Sequence, residues 1–373
     1  MTSKSPTRAQ FRANPIPVIG YTIYFLSLLY LFFFSIELMG AAFKMGGRGL
    51  AEQLLNTAAD PVAGLLIGFL ATSLIQSSST ATTIVVGLVA SDALTIGLAI
   101  PILMGANIGT TTTNTIVSMG HVTRPAEFGR AFAASTVHDF FNILAAVVIL
   151  PLEIFFHPVE KMARFFQTGF AGAGGMSLAS PLKVVVTPLS EFVVGMLPYE
   201  LPLIAIALIV LIITLHRLMR LMRGVFLERM ASLFDRVLFR NDMTSFTLGV
   251  VTTTAVQSSS ATTSLIVPLA GTGVLSLKQI FPYTLGANIG TTVTALLASF
   301  STGSPAAVIV AFAHLSFNIL GIGVFYPFRP LRNIPIWLAE KVGVLASSTR
   351  TNSAVVIFVY VVLHIIPVLY IIL

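Results

Sequence analysis

Gln76-Ser77-Ser78-Ser79, followed by Gly105-Ala106-Asn107-Ile108-Gly109-Thr110, returns 181 residues later as Gln257-Ser258-Ser259-Ser260 followed by Gly286-Ala287-Asn288-Ile289-Gly290-Thr291. Both copies sit inside long apolar segments. Hydroxyl-rich, glycine-broken stretches in that setting predict two half-sites that face each other inside a membrane. A transporter is the first reading they support.

Composition agrees. Only 9% of residues are charged and 55% are hydrophobic, against about 25% charged in an ordinary globular domain, and the mean hydropathy is +0.92. A water-soluble surface cannot be built from that. Several stretches reach or approach the roughly 20 apolar residues needed to cross a bilayer: Val18 to Phe43, Leu201 to Leu215 with its flanks, Ala306 to Phe328 and Ala354 to Leu373. The fold expected is all-α, a multi-pass protein of a plasma or bacterial inner membrane. Lys4, Arg8 and Arg12 before the first stretch resemble the start of a signal peptide. That stretch is too long for one and lacks a small-residue cleavage site, so a retained span is expected. The chain has no cysteine, which excludes disulfides, thiol catalysis and cysteine metal sites.

The net charge of +7 does not point to nucleic acid. Arg217, Arg220, Arg223, Arg229, Arg236 and Arg240 alternate with Leu218, Leu221, Val225, Phe226, Leu233 and Val237 at roughly helical spacing. That pattern predicts a surface helix with a cationic face turned to lipid headgroups. Base-reading or aromatic partners are missing from it.

The duplication aligns from Asp60 against Asn241. His138, Phe141 and Asn142 match His314, Phe317 and Asn318 after a five-residue deletion. Residues 1–59 are read as an N-terminal segment with the first span, 60–150 as repeat 1, 151–240 as a linker with a span and a basic interfacial helix, 241–328 as repeat 2, and 329–373 as a C-terminal span. Each repeat is expected to hold a re-entrant helical hairpin and broken helices. Lysine and arginine favour the cytoplasm. With the amino terminus inside, Arg124, Arg130, the linker arginines, Lys278, Arg329, Arg332, Lys341 and Arg350 fall inside, leaving Lys44, Arg48, Lys161, Arg164 and Lys183 outside. The two repeats are then inverted.

Irregular backbone in hydrocarbon costs several kcal/mol per unpaired group, so such hairpins must meet in the protein interior. Serine and threonine also serve as ordinary helix-packing residues. Duplication of the whole phrase favours a site.

The chemistry open to that site is narrow. Between Ala51 and Gly120 there is no lysine or arginine, and between Asn241 and Phe328 only Lys278. Hydroxyls come instead from Ser77, Ser78, Ser79, Thr110, Thr111 and Thr113, and from Ser258, Ser259, Ser260, Thr291, Thr292 and Thr294. Hydroxyl protons and helix-start N–H groups bind an anion; hydroxyl lone pairs and amide oxygens bind a hard monovalent cation such as sodium. A multiply charged anion held there without a fixed cation faces a heavy desolvation cost, so it must bring cations with it. That is reciprocal coupling.

The paired Gln-Ser-Ser-Ser and Gly-Ala-Asn-Ile-Gly-Thr motifs, with Arg130-Ala131-Phe132 and Thr136-Val137-His138-Asp139-Phe140-Phe141-Asn142, resemble the type II sodium-dependent phosphate cotransporter family from about Leu65 to Leu320. The resemblance implies symport of inorganic phosphate with sodium as co-substrate, no cofactor and no enzymatic activity. It implies phosphate ligands at Ser77, Ser78, Ser79, Ser258, Ser259 and Ser260. It also implies a sodium site at Gln257, Ser258, Thr291 and Thr294, with Gln76, Thr110 and Thr113 as counterparts. Electrogenic members carry an aspartate after an Ala-Gly pair where this chain has Met119-Gly120-His121. The large cysteine-bearing loop of animal members is missing, which fits a compact, bacterial-type member.

His138 and Asn142 lie one helical turn apart, as do His314 and Asn318; interhelical hydrogen bonding and ion contact are both open to them, with Asn107 and Asn288 beside the site. Asp139, with Leu315 at the corresponding place, suggests a further cation site. Competing readings are symport of another small anion, an ion channel with a glycine-threonine filter, and an intramembrane hydrolase using a motif serine with His138.

Overall fold

Two residues turn each hairpin, and neither is glycine or proline. A computed structural model describes the backbone of residues 15–57, 60–173, 175–231 and 241–372, and side chains within 20–45, 60–173, 184–221 and 241–363. Helix α2 (Pro61–Ile75) ends at Gln76, which adopts the left-handed conformation (φ 58°, ψ 26°) and sends its N–H to Thr72 O. Ser77 follows in an extended conformation, and its hydroxyl accepts from Thr80 N to start α3 (Ser78–Ala90). The second copy repeats this. Helix α10 (Asp242–Val256) ends at Gln257 (φ 60°, ψ 23°), and Ser258 caps α11 (Ser259–Ser264) through Ala261 N. A non-glycine residue in this region carries a strain of order 1 kcal/mol or more, and both copies keep it at glutamine.

Glycine does something other than break helices. The sequence reading expects broken backbone at the glycines of Gly105-Ala106-Asn107-Ile108-Gly109. Instead Gly105 and Gly109 lie within α4 (Ile96–Gly109), and Gly286 and Gly290 lie inside α13 (Leu277–Thr302). A Cβ built at Gly105 would collide with the Leu65 carbonyl, and one at Gly286 with the Phe246 carbonyl; Gly68 and Gly249 are equally tight against Ile102 and Tyr283. Small residues four apart let backbones approach, which drives helix association where lipid supplies no hydrophobic force. Each hairpin's first arm is thereby pressed onto its own Gly-Ala-Asn helix.

The copies differ in where they do break. Repeat 1 interrupts its Gly-Ala-Asn helix at Thr110–Thr111, before α5 (Thr112–Ser118) and a 3-10 turn at Met119–His121. Repeat 2 leaves α13 whole and interrupts the serine arm at Leu265, between α11 and α12 (Ile266–Gly271).

Around these lie the long helices. α6 (Pro125–Phe156) is followed by α7 (Pro158–Gly172) and α8 (Gly175–Met196); α14 (Pro305–Phe325) is followed by α15 (Arg329–Ser348) and α16 (Arg350–Ile372). Helix α7 packs on α14 and α15 on α6, so each trailing helix crosses to the other copy. Phe166 and Phe170 meet Phe312 at 5.8 and 6.0 Å, and Gly129 lies tight against Gly343. Helix α1 (Pro15–Thr57) packs on α9 (Glu200–Ala231).

The protein is an all-α, multi-pass membrane protein. Among the described residues, five helices are long and apolar enough to cross a bilayer: Gly20–Met45, Ile96–His121, Pro125–Phe156, Glu200–Leu221 and Pro305–Phe325. Where a span and a separate basic helix are expected, α9 runs unbroken from Glu200 to Ala231. Between Pro202 and Gly224 it holds no helix breaker, and its Leu, Met and Arg favour helix. Arg217 and Arg220 are exposed on it. The side chains of Arg223 and Arg229, and all of Arg236 and Arg240, fall outside the described residues.

Candidate functional site

The hairpin tips touch. Ser79 donates its hydroxyl proton to Gln257 O at 3.1 Å, and Ser260 donates to Thr110 O at 3.3 Å. Ser77, Ser78, Ser79, Ser258, Ser259 and Ser260 are all buried. Ser77 and Ser258 act as helix caps. Thr80 N–H is met by the Ser77 hydroxyl at 3.2 Å, which leaves the amides of Ser78 and Ser79 at the start of α3 without an intrahelical acceptor.

Each motif glutamine is tied to its own repeat's threonine. Thr294 donates to Gln257 Oε1 at 2.7 Å and Thr113 to Gln76 Oε1 at 2.9 Å. Thr110 and Thr291 turn their protons back onto Ala106 O and Ala287 O. Their hydroxyl oxygens keep lone pairs that can accept. Two sets of amide oxygen plus hydroxyls result, and they differ in access: Gln76 is exposed and Thr113 half-buried, whereas Gln257 is half-buried and Thr294 buried.

Six amide and imidazole residues form one buried network across both repeats. His138 Nε2 meets Asn288 Oδ1 at 2.6 Å, and Asn288 donates to Asn142 Oδ1 at 2.8 Å. Asn107 donates to Asn318 Oδ1 at 2.9 Å, while His314 Nε2 lies 3.4 Å from Asn107 Oδ1. Asn142 Nδ2 reaches Asn107 O at 2.9 Å, and Asn318 Nδ2 reaches His314 O at 2.9 Å. Each Gly-Ala-Asn amide is thus held by the His and Asn of the opposite copy.

Asp139 stands apart. It lines an apolar cavity of about 470 Å³ with Leu65, Phe69, Ile108, Phe132 and Tyr360, and its Oδ2 has no hydrogen-bond partner among the described residues. His121 bonds Glu127 at 3.0 Å and lies close to Gly271 at the end of α12.

Other contacts escaped the sequence reading. Thr263 donates to Asn114 Oδ1 at 3.0 Å across the two breaks, Thr253 and Thr262 share a hydrogen bond at 2.7 Å, and Arg130 Nε donates to Gly271 O at 2.9 Å. The available signal was positional: Asn114 lies one helical turn beyond Thr110, and Thr82 and Thr263 recur at the repeat offset.

The family model described as Na+/Pi-cotransporter matches residues 31–180 and 202–325. The chain belongs to the Na+/Pi-cotransporter family. It is 33% identical over 85% of its length to sodium-dependent phosphate transport protein 2A of Ovis aries. It is 30% identical over 89% of its length to protein 2B of Pongo abelii, and likewise to 2B of Homo sapiens. The chain spans 62% of the length of each of these relatives. No solved structure matches it significantly. Both Na+/Pi-cotransporter segments contain one Gln-Ser-Ser-Ser and one Gly-Ala-Asn-Ile-Gly-Thr motif.

Proposed function

We propose that this protein is a secondary active symporter that couples inward sodium movement to uptake of inorganic phosphate by alternating access. The observation that carries the reading is the contact of the hairpin tips, Ser79 with Gln257 and Ser260 with Thr110, in stretches whose one basic side chain from Gln76 to Thr113 and from Gln257 to Thr294 is Lys278. The names of the relatives, sodium-dependent phosphate transport proteins, support the same substrates.

In this reading the serines of both motifs and the free amides at the start of α3 receive phosphate. Helix-start dipoles favour its charge, yet hydroxyls and amides alone cannot offset a buried multivalent anion. Gln257, Ser258, Thr291 and Thr294 hold sodium, with Gln76, Thr110 and Thr113 offering a second set of the same ligand types. Each ion raises the affinity of the other by the same factor. The repeats sit inverted in the bilayer and rock against each other. A net positive charge carried inward would gain about 2.3 kcal/mol per elementary charge per 100 mV.

A serine hydrolase reading is less well supported, because His138 and His314 are engaged with Asn288 and Asn107 rather than with a motif serine. In proteoliposomes, radiolabelled phosphate should accumulate above equilibrium under an inward sodium gradient and saturate. Equal uptake in potassium-only buffer would overturn the coupling, and uptake that only equilibrates would indicate a channel. Competition by sulfate and arsenate distinguishes the anion.

A further inference from the structure

The first residues of α10 and α15 and the second of α13, Asp242, Arg329 and Lys278, converge on a concavity of about 260 Å³ also lined by Tyr326, Arg332 and Asn333. Residues from the starts of three helices therefore line one place, and a helix start favours negative charge near it. The side chains add to it. Arg332 bonds Asp242 at 3.0 Å and lies over the Tyr326 ring at 5.1 Å. Among the described residues Lys278 and Arg329 make no ion pair. Three cations face one carboxylate. Burial, then Asp242 beside it, raises the Tyr326 hydroxyl above its ordinary range, so tyrosine contributes no second negative charge.

We propose that this concavity binds the phosphate-bearing headgroup of an anionic phospholipid. Basic pockets between membrane helices recognise such headgroups through lysine and arginine. The helix that runs on from the pocket, which it lines through Arg329, Arg332, Asn333 and Ile336, points to lipid rather than a soluble anion. Helix α15 buries Pro335, Ile336, Ala339, Gly343 and Ala346 along one face. It leaves Phe328 and Trp337 60% and 54% exposed, with Lys341 Nζ 6.0 Å from the Trp337 ring. Exposed aromatics beside cations are the composition of a helix lying at headgroup depth. A phosphodiester at that depth lies level with Lys278 and Arg329, while its acyl chains continue along the apolar flank.

A bound headgroup would tie together α10, α13 and α15, and so brace the first arm of the second hairpin against its Gly-Ala-Asn helix. The proposal is independent of what the protein transports. Its test is native mass spectrometry of the full chain released from vesicles of phosphatidylglycerol and phosphatidylcholine. Wild type should retain phosphatidylglycerol preferentially, and Lys278→Gln with Arg329→Gln should lower that retention about tenfold or more, at about 1 kcal/mol per cation. The single substitutions should each give part of the loss. Because both side chains are exposed, these singles decide the matter if the pair fails to fold. Equal retention by wild type and variants would overturn the site. So would an equal loss from Arg217→Gln on exposed α9, which would mean general surface charge. Melting in phosphatidylcholine micelles provides the remaining arm: protection by inorganic phosphate that vanishes in the Lys278→Gln, Arg329→Gln variant, without any by phosphatidylglycerol, would assign the pocket to free phosphate instead.

Discussion

Residues 105–111 and 286–292 are the same seven amino acids, Gly-Ala-Asn-Ile-Gly-Thr-Thr, yet the first copy ends a helix within this stretch and the second runs through it. The serine arms show the reverse: α3 is whole, and its counterpart breaks at Leu265. The two breaks answer each other. Ser260 reaches the Thr110 carbonyl and Thr263 reaches Asn114, while in the other direction Ser79 reaches the Gln257 carbonyl at an intact α3. One motif thus supports two backbone states, and the opposite copy selects between them. Gln76 is exposed and Gln257 half-buried, so the two motif glutamines differ in access as well.

The largest effect expected comes from joining the repeats' serines into one site. Ser78→Ala with Ser259→Ala should reduce phosphate uptake by ~100-fold or more, since hydrogen bonds to a charged ligand are worth about 1.5–3 kcal/mol each. An unchanged elution profile in size-exclusion chromatography checks folding. Full uptake by this variant would mean that the tips touch without sharing a substrate.

Next comes the packing that the copies hold in common. Gly105→Val and Gly286→Val each force a side chain onto a carbonyl of the hairpin's first arm, and overpacking of this kind costs about 1–3 kcal/mol or more. Both should lower the melting temperature in detergent by similar amounts. Tolerance at one position alone would break the equivalence of the two hairpins.

The polar network sharpens the contrast. Asn288 holds His138 and Asn142 at 2.6 and 2.8 Å, whereas Asn107 holds Asn318, Asn142 and His314 at 2.9, 3.4 and 3.4 Å. Losing a partner of a buried polar group costs about 1–3 kcal/mol. Asn288→Ala should destabilise more than Asn107→Ala in a thermal melt, and the opposite order would contradict the geometry.

The smallest difference concerns sodium. Thr294→Val removes the buried hydroxyl on Gln257, and Thr113→Val the more accessible one on Gln76. Loss of one hydrogen bond of about 1 kcal/mol corresponds to roughly fivefold. That is the expected rise in half-activating sodium for Thr294→Val, measured at saturating phosphate, with a smaller rise for Thr113→Val. Equal rises would mean that both glutamine sites are used alike.

Much of this is legible in the sequence alone. The 181-residue offset, the low charge and the apolar segments identify a duplicated membrane protein, because hydropathy and motif identity are local properties of the chain. The residues of the candidate site were legible for the same reason. The sequence allows His138, Asn142, His314 and Asn318 either hydrogen bonding or ion contact, and their bonds to Asn107 and Asn288 answer only the first part. Asp139 is a candidate further cation site in the sequence, as an intramembrane carboxylate; successive residues on a helix diverge by about 100°, and it lines an apolar cavity that holds none of the motif serines.

What composition and motif spacing decide, then, is the solvent, the two copies and the kinds of ligand atom each copy offers. Which glycine packs and which residue breaks is decided elsewhere. Seven identical residues cannot by themselves specify two backbones; contacts across more than a hundred residues of chain, Ser260 with Thr110 and Thr263 with Asn114, meet the break in repeat 1, while the glycines pack against the hairpin carbonyls alike in both copies. The basic pocket at Lys278 and Arg329 is of the same kind. Its members lie far apart in sequence, and only the convergence of three helix starts brings their charges together.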